Sequence, residues 1–425
     1  MTTSRAEERA AEPRAAWGAV ERAARGAYGR LVANLAYRFH DIAAAEDALG
    51  DALKAALEQW PSSGLPASPE AWLMAVAKNQ LRQGARHRTM AQAPETRSAV
   101  AAIEAALGEA RLASAGDERL ALLFVCAHPA IDPSLRAPLM LQTVLGVDVA
   151  RIAASFLVTP AAMNQRLVRG KQKIRDAGVP FEPPTGGDLV ARLESVLEGI
   201  YAAFGAGWDD AGAGTPSAEP LDEEALFLAG LLAEQLRSEP EPLGLLALMT
   251  FSRARRGARF DGRGAFVPLA EHDTSRWDRA AILEADRLLL RAASFRRPGP
   301  YQLEAAIQSA HCQRLFSGRT PWAAIATLYD YLTRAAPSVA SRVAHVAALA
   351  EAGRVEEARD ALAAVDRAQA AAYAPYWVVA AHLAKLAGDR EARQSALGRA
   401  IELTRDERLR AYLERQRSLG DPPAG

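Results

Sequence analysis

The chain has 425 residues, half of them hydrophobic and 24% charged, the profile of a soluble globular protein of two or three domains. Its 51 basic residues balance 51 acidic ones, which excludes indiscriminate binding to nucleic acid through net charge but leaves local patches open. No apolar run is long enough to span a membrane, the opening "MTTSRAEERAAEPRAAW" has no apolar signal core, and Cys126 and Cys312 frame neither disulfides nor a zinc site, so a cytoplasmic protein without a membrane partner is expected.

Apolar residues recur at helical spacing almost everywhere and Ala dominates, so the expected fold is all-α. Asp41 can cap a helix with Ile42, Ala45, Leu49, Leu53, Ala56 and Trp60 on one face, and Pro61 is expected to stop it. "PSSGLPASP" is a loop, and Ser68 or Pro69 opens the next helix, "PEAWLMAVAKNQLRQGARHR". Residues 91–116 read as an Ala-rich linker, residues 117–178 as a second compact helical unit, and residues 179–188, "VPFEPPTGGD", as an interdomain linker. Beyond it helices are legible at 189–205, 221–237, 241–255 and 277–294, with one small β-hairpin at "ARFDGRGAFVPL". After Pro300 a repeat appears, clearest over 301–410. "ALAEAGRVEEARDAL" sets Gly353 where "HLAKLAGDREARQSAL" sets Gly388, about 35 residues on. Small residues, a turn glycine and a charged amphipathic helix form a degenerate tetratricopeptide (TPR) pattern, which predicts a TPR-like α-solenoid.

Residues 148–178 read as a helix-turn-helix. Asp148 caps "VARIAASF", with Val149, Ile152, Ala153 and Phe156 inward; Thr159 caps the next helix and Pro160 takes its first position, where a missing N–H costs nothing. Met163, Leu167, Gly170 and Ile174 form the inward stripe. Gln165, Arg169 and Gln172 then face outward, with Asn164, Lys171 and Arg175 on one flank. Asn164 and Gln165 lie near the N-terminal end, which reaches base edges in this motif, and amides can read adenine. Arg166, Arg169, Lys171 and Lys173 suit phosphate. With Thr159 these are the candidate duplex-binding residues; the competing reading is a solvated cationic face.

"AEDALGDALKAALEQWP" followed by "PEAWLMAVAKNQ" resembles region 2 of an extracytoplasmic-function (ECF) sigma factor of bacterial RNA polymerase. "DERLALLFVCAHPAIDPSLRAPLMLQTVLGVDVARIAASFLVTPAAMNQRLVRGKQKIRDAGVPF" resembles region 4 of that family. "LGLLALM", "SRWD", "RPGPYQLEAAI" and "WAAIATLYD" are similar to the long TPR-type C-terminal extension of one subgroup. The resemblance implies a region 2 domain over 14–90, a region 4 helix-turn-helix domain over 117–178 and a regulatory extension over 189–425. It implies core RNA polymerase and promoter double-stranded DNA as partners. Glu46, Asp47 and Asp51 would dock on the polymerase, from the face opposite Leu49 and Leu53. Lys78, Asn79, Arg82, Arg86 and Arg88 would meet the promoter element that is opened. There the family reads something like N-x-x-x-D-x-x-R-R, and this chain departs: Asn79 is present, but Gln83, Gly84 and Ala85 follow, and the last two positions are Arg86 and His87.

No enzymatic chemistry, cofactor or metal is expected: there is no Gly-rich phosphate loop, H-E-x-x-H or nucleophile elbow, and Cys126 with His128 alone make a poor metal site. Arg255, Arg256, Asp261, His272, Asp273, Trp277 and Asp278 read as an Arg–Asp network fixing an irregular connection, with a ligand site as the rival reading. A protein or small-ligand partner of the extension stays open. The functional expectation is an ECF-type sigma factor. The alternative is a TPR-containing helix-turn-helix regulator, or a divergent sigma-like protein that has lost promoter melting.

Overall fold

A computed structural model describes residues 27–90, 118–156, 158–213 and 221–418, without the side chains of 84–90 and 206–213. The expected linker over 91–116, residues 14–26 and Asp117 lie outside the described residues. Two compact units divide the chain, residues 1–228 and 229–425.

The first unit opens with α1, residues 27–39. Asp41 then caps α2 (Ile42–Ser63), its carboxylate accepting from Ala44 N at 3.0 Å. Ala45, Leu49, Ala52, Ala56 and Trp60 lie on the buried face of α2, as the periodicity requires. Pro61 does not end the helix as expected, because α2 runs on to Ser63. A proline withholds one N–H, and so late in the helix that leaves only the Leu57 carbonyl without its helical donor. The Ser62 and Ser63 hydroxyls meanwhile donate to Gln59 O at 3.0 and 2.9 Å, and Gly64 N–H reaches Trp60 O. α3 (Pro69–Met90) begins behind the Ser68 hydroxyl, packs on α2 and buries Leu73, Ala77 and Leu81. Trp72 meets Trp60 edge-on at 5.5 Å.

α4 (Glu118–Cys126) is buried throughout beyond Glu118. α5 (Pro133–Thr143), α6 (Val149–Ser155) and α7 (Pro160–Asp176) each start at a side-chain cap, Asp132, Asp148 and Thr159 respectively. α8 (Gly187–Ala213) packs along α5, where Arg136 donates to Ser195 Oγ at 3.0 Å. The Pro- and Gly-containing segment 179–188 therefore does not release α8 from what precedes it. Val179 and Phe181 are buried, and the Phe181 ring meets His40 edge-on at 5.4 Å.

The two modules read from sequence as separately linked bodies touch each other in the first unit. Asn34 of α1 donates to Glu118 Oε1 of α4 at 3.2 Å. Gly29 of α1 approaches the end of α5 so closely that an added Cβ would lie 1.8 Å from Val144 O. A backbone carbonyl cannot swing aside like a side-chain tip. Gly29→Ala is therefore expected to lower stability by about 1–3 kcal/mol, the usual scale of overpacking, read as a fall in Tm by calorimetry. An unchanged Tm would mean that α1 does not rest on α5.

The second unit begins within α9 (Leu221–Gln235). α10 (Pro240–Ala254), apolar on most sides, is flanked by α11 (Arg279–Ser294) and α12 (Pro300–Cys312). The expected β-hairpin between α10 and α11 shrinks to one antiparallel bridge, Phe260 to Phe266. Its turn is tied by the Asp261 carboxylate, which accepts from the backbone N–H of Arg263 and of Ala265 at 2.8 Å each. Two further acids are likewise committed to neighbouring backbone: Asp273 accepts from Ser275 N and Asp278 from Ala281 N. Four longer helices then form two pairs after α13 (Trp322–Ala335): α14 (Val339–Glu351) with α15 (Val355–Ala363), and α16 (Ala374–Leu386) with α17 (Arg390–Leu403). Gly353 and Gly388 close the first helix of each pair at φ 78° and 71°, a conformation that strains residues with a Cβ. Ile325, Leu332, Val346, Leu349, Val379 and Leu383 belong to one core beneath the array. α18 (Glu407–Ser418) returns to the bridge, with Arg408 over the Phe260 ring at 4.5 Å and Tyr412 edge-on to Phe266 at 5.6 Å. No helix among the described residues is long and apolar enough to cross a membrane.

Candidate polymerase and nucleic-acid interface

α6 and α7 are two helices joined by a short turn. Asp148 accepts from Ala150 N and Arg151 N at 2.9 and 3.0 Å, and Thr159 Oγ1 accepts from Ala162 N at 3.3 Å. Met163, Leu167, Gly170 and Ile174 are buried, which turns Asn164, Gln165, Arg166, Arg169 and Lys173 to solvent. α6 differs from expectation at Phe156, which is exposed; α6 ends at Ser155, so Phe156 lies past the inward face held by Ile152 and Ala153.

Lys171 is the larger correction. It is 8% exposed, and its ammonium pairs with the Glu46 carboxylate of α2, itself only 16% exposed. One turn on, Arg175 donates to Asp41 Oδ1 at 2.8 Å. Lys171 is thus not presented to a duplex and Glu46 is not presented to a protein partner. The concentration of positive charge on α7 is in part the complement of the acids at the start of α2. Burial pushes the Glu46 carboxyl above the ordinary glutamate range, against the opposing pull of Lys171. Of the three acids expected on the docking face, Asp47 and Asp51 are exposed.

Asn79 and Arg82 are exposed on α3, and Lys78 is half-buried. Burial holds the Lys78 ammonium below its ordinary range, helped by nearby Arg38 and Arg82. Arg38 therefore belongs to this basic cluster, although the sequence reading missed it. Its signal was its place in "YRFHD", just before the chain turns at His40 with φ 52°. The side chains of Arg86 and Arg88 lie outside the described residues, while the α3 backbone stays helical through Gly84 and Ala85. Cys126 and His128 serve local structure. The Cys126 thiol is buried beside Thr143 Oγ1 at 3.4 Å and pushed up to about 12, and His128 Nδ1 accepts from Ala130 N at 3.1 Å.

The first unit thus carries two exposed acids on α2, a basic cluster from α1 and α3, and an amide-and-cation face on α7. Sigma-70 region 2 matches residues 25–90, which takes in the first two of these. The chain carries a sigma-70 region 2 domain, which supports a factor of the sigma-70 family. An uncharacterized protein of Rhizobium meliloti (strain 1021) is 38% identical over 306 residues, 71% of this chain and 72% of that protein. A family of unknown function (DUF6596) matches residues 192–293. No solved structure matches the chain. In this chain α1 to α3 fall within the region 2 match, and the stretch of unknown function runs from α8 to α11. α7 lies between the two matched stretches.

Proposed function

We propose that the chain is an ECF-type sigma factor that binds core RNA polymerase through region 2 and promoter DNA through α3 and α7. Its extension, TPR-like in the paired helices α14 to α17, regulates it. The observation that carries this reading is the solvent-facing pair Asp47 and Asp51 on α2, inside the stretch that matches sigma-70 region 2. Acids a helical turn apart suit a basic partner surface, where ion pairs set register and association rate more than affinity. The exposed Asn164 and Gln165 at the N-terminal end of α7 suit base edges, and Arg166, Arg169 and Lys173 suit phosphates. Such a factor makes and breaks no covalent bonds. It supplies binding energy that positions the polymerase and holds opened DNA.

The test uses full-length protein, because removing everything after residue 188 would strip α8 from α5. The wild type is expected to co-elute with core RNA polymerase and to support transcription from a promoter in vitro. Asp47→Lys with Asp51→Lys is expected to abolish co-elution while leaving Tm within about 1 kcal/mol equivalent, as for exposed sites. Undiminished co-elution of that variant would sink the docking assignment. Co-elution and DNA binding without transcription would favour the divergent relative, for which Gln83, Gly84 and Ala85 already speak.

A further inference from the structure

The connection between α10 and α11, covered by the end of α12 and the start of α13, holds two arginines that no carboxylate pairs among the described residues. Arg255 is 7% exposed; its Nε donates to Phe251 O at 3.3 Å, one terminal nitrogen donates to Gln308 Oε1, and Nη1 meets no acceptor among the described residues. Arg314 donates to the carbonyls of Ala270 and His272. Both guanidiniums lie over the same indole, 6.0 Å (Arg255) and 5.1 Å (Arg314) from the Trp277 ring centroid. Neither forms an ion pair with a carboxylate among the described residues. Asp261, Asp273 and Asp278, expected to neutralise the arginines here, hold neighbouring backbone N–H groups instead. The nearby Cys312 thiol and Tyr329 hydroxyl are kept neutral by burial, pushed up to about 11 and about 12.

A small cleft of about 30 Å³, open to solvent, lies at this place, lined by Trp277, His311, Arg314, Thr320 and Trp322 among others. Trp277 is 5% exposed, and its indole N–H has no acceptor among the described residues. His311 stands edge-on to Trp322 at 5.2 Å, and His272 edge-on to Trp277 at 6.2 Å. Burial and the neighbouring arginines hold these two imidazoles down at about 3 and about 4, so each stays neutral. A buried guanidinium left without a counter-charge is costly, and so is a buried donor left without an acceptor. An anion held by Arg314 in the cleft would supply negative charge at the indole that Arg255 shares, and can accept from the Trp277 N–H.

We propose that this cleft binds a small oxyanion, a carboxylate or phosphate group of a metabolite-sized molecule, with Arg314, Thr320 and the Trp277 N–H facing it and Arg255 supplying charge beside Trp277. The extension would then carry a chemical input of its own. This inference does not depend on the polymerase reading, since its test contains neither polymerase nor DNA. Sodium phosphate and sodium acetate are titrated calorimetrically into the full-length protein, with sodium chloride at matched ionic strength as reference. Saturable one-site binding of at least one of the two is expected, with affinity lowered at least tenfold by Arg314→Gln and again by Trp277→Phe, which keeps an aromatic ring but removes the N–H. Stronger phosphate binding assigns the cleft to a phosphoryl group, and stronger acetate binding to a carboxylate. Circular dichroism establishes that both variants fold; should Arg314→Gln fail to fold, Trp277→Phe carries the test alone. Heats no different from those of chloride, or saturable binding undiminished in the folded variants, would overturn the proposal.

Discussion

Lys171→Met is expected to destabilise the first unit by about 3–5 kcal/mol at neutral pH, the scale for removing one partner of a buried ion pair. The physical reason lies with the partner left behind. Glu46 keeps its carboxylate in the contact between α2 and α7, where burial already pushes its proton affinity up against the pull of Lys171. Without the ammonium that pull vanishes and the carboxyl is raised further. The sign follows for a group whose folded pKa exceeds its unfolded value. Below the ordinary glutamate value of about 4.3 the group is neutral in both states and carries no penalty. As pH rises from there the penalty grows, and it levels off once pH passes the raised value. The gap between variant and wild type should therefore be widest at neutral pH and should narrow in acid, measured as ΔG of unfolding across a pH series. Adding Glu46→Leu to Lys171→Met is expected to recover the loss and to exceed wild type by about 1–4 kcal/mol, since apolar packing of similar volume avoids the desolvation of both charges. A single variant as stable as wild type at neutral pH would show that α7 is not held on α2 in this way. If the double variant gains stability, the ion pair sets register between the two helices rather than strength. It is also a contact that charged groups can leave at modest cost, because water solvates both partners on separation.

Arg166→Ala combined with Arg169→Ala is expected to weaken duplex binding about 10- to 100-fold at moderate salt and to reduce the salt slope by about 1.8, near 0.9 for each phosphate no longer neutralised. Both side chains stand on the exposed face of α7 next to the buried Met163, Leu167 and Gly170. Removing them therefore changes the surface without opening the core, and Tm should hardly move. Gln165→Ala should behave differently. An amide that reads a base carries about 1–3 kcal/mol of discrimination, so its loss should relax preference at one position and leave the salt slope unchanged. The stabilised Glu46→Leu with Lys171→Met protein is the internal control, because Lys171 faces α2. A salt slope that the Arg166 and Arg169 changes leave untouched would remove α7 from the DNA interface.

Local chemistry explains what was legible beforehand. Asp41, Asp148 and Thr159 cap because each side chain reaches an N–H two or three residues ahead, an interaction with no tertiary requirement. The buried stripe of α7 follows from a period of 3.6, and the turns at Gly353 and Gly388 from backbone angles that other residues resist. The same short-range chemistry spoiled one expectation. Asp261, Asp273 and Asp278 hold adjacent backbone N–H groups, and Arg255 has no carboxylate partner among the described residues.

The amino-acid order alone determined an all-α chain, its capped helices and the outward residues Asn164, Gln165 and Arg169, because periodicity and capping act over a few residues. Only the tertiary structure decided that Lys171 and Glu46, 125 positions apart, neutralise each other. It also decided that Gly29 lies against Val144 and that arginines crowd one indole. Such pairings depend on how helices distant in sequence come to rest on each other, and no local pattern encodes that distance.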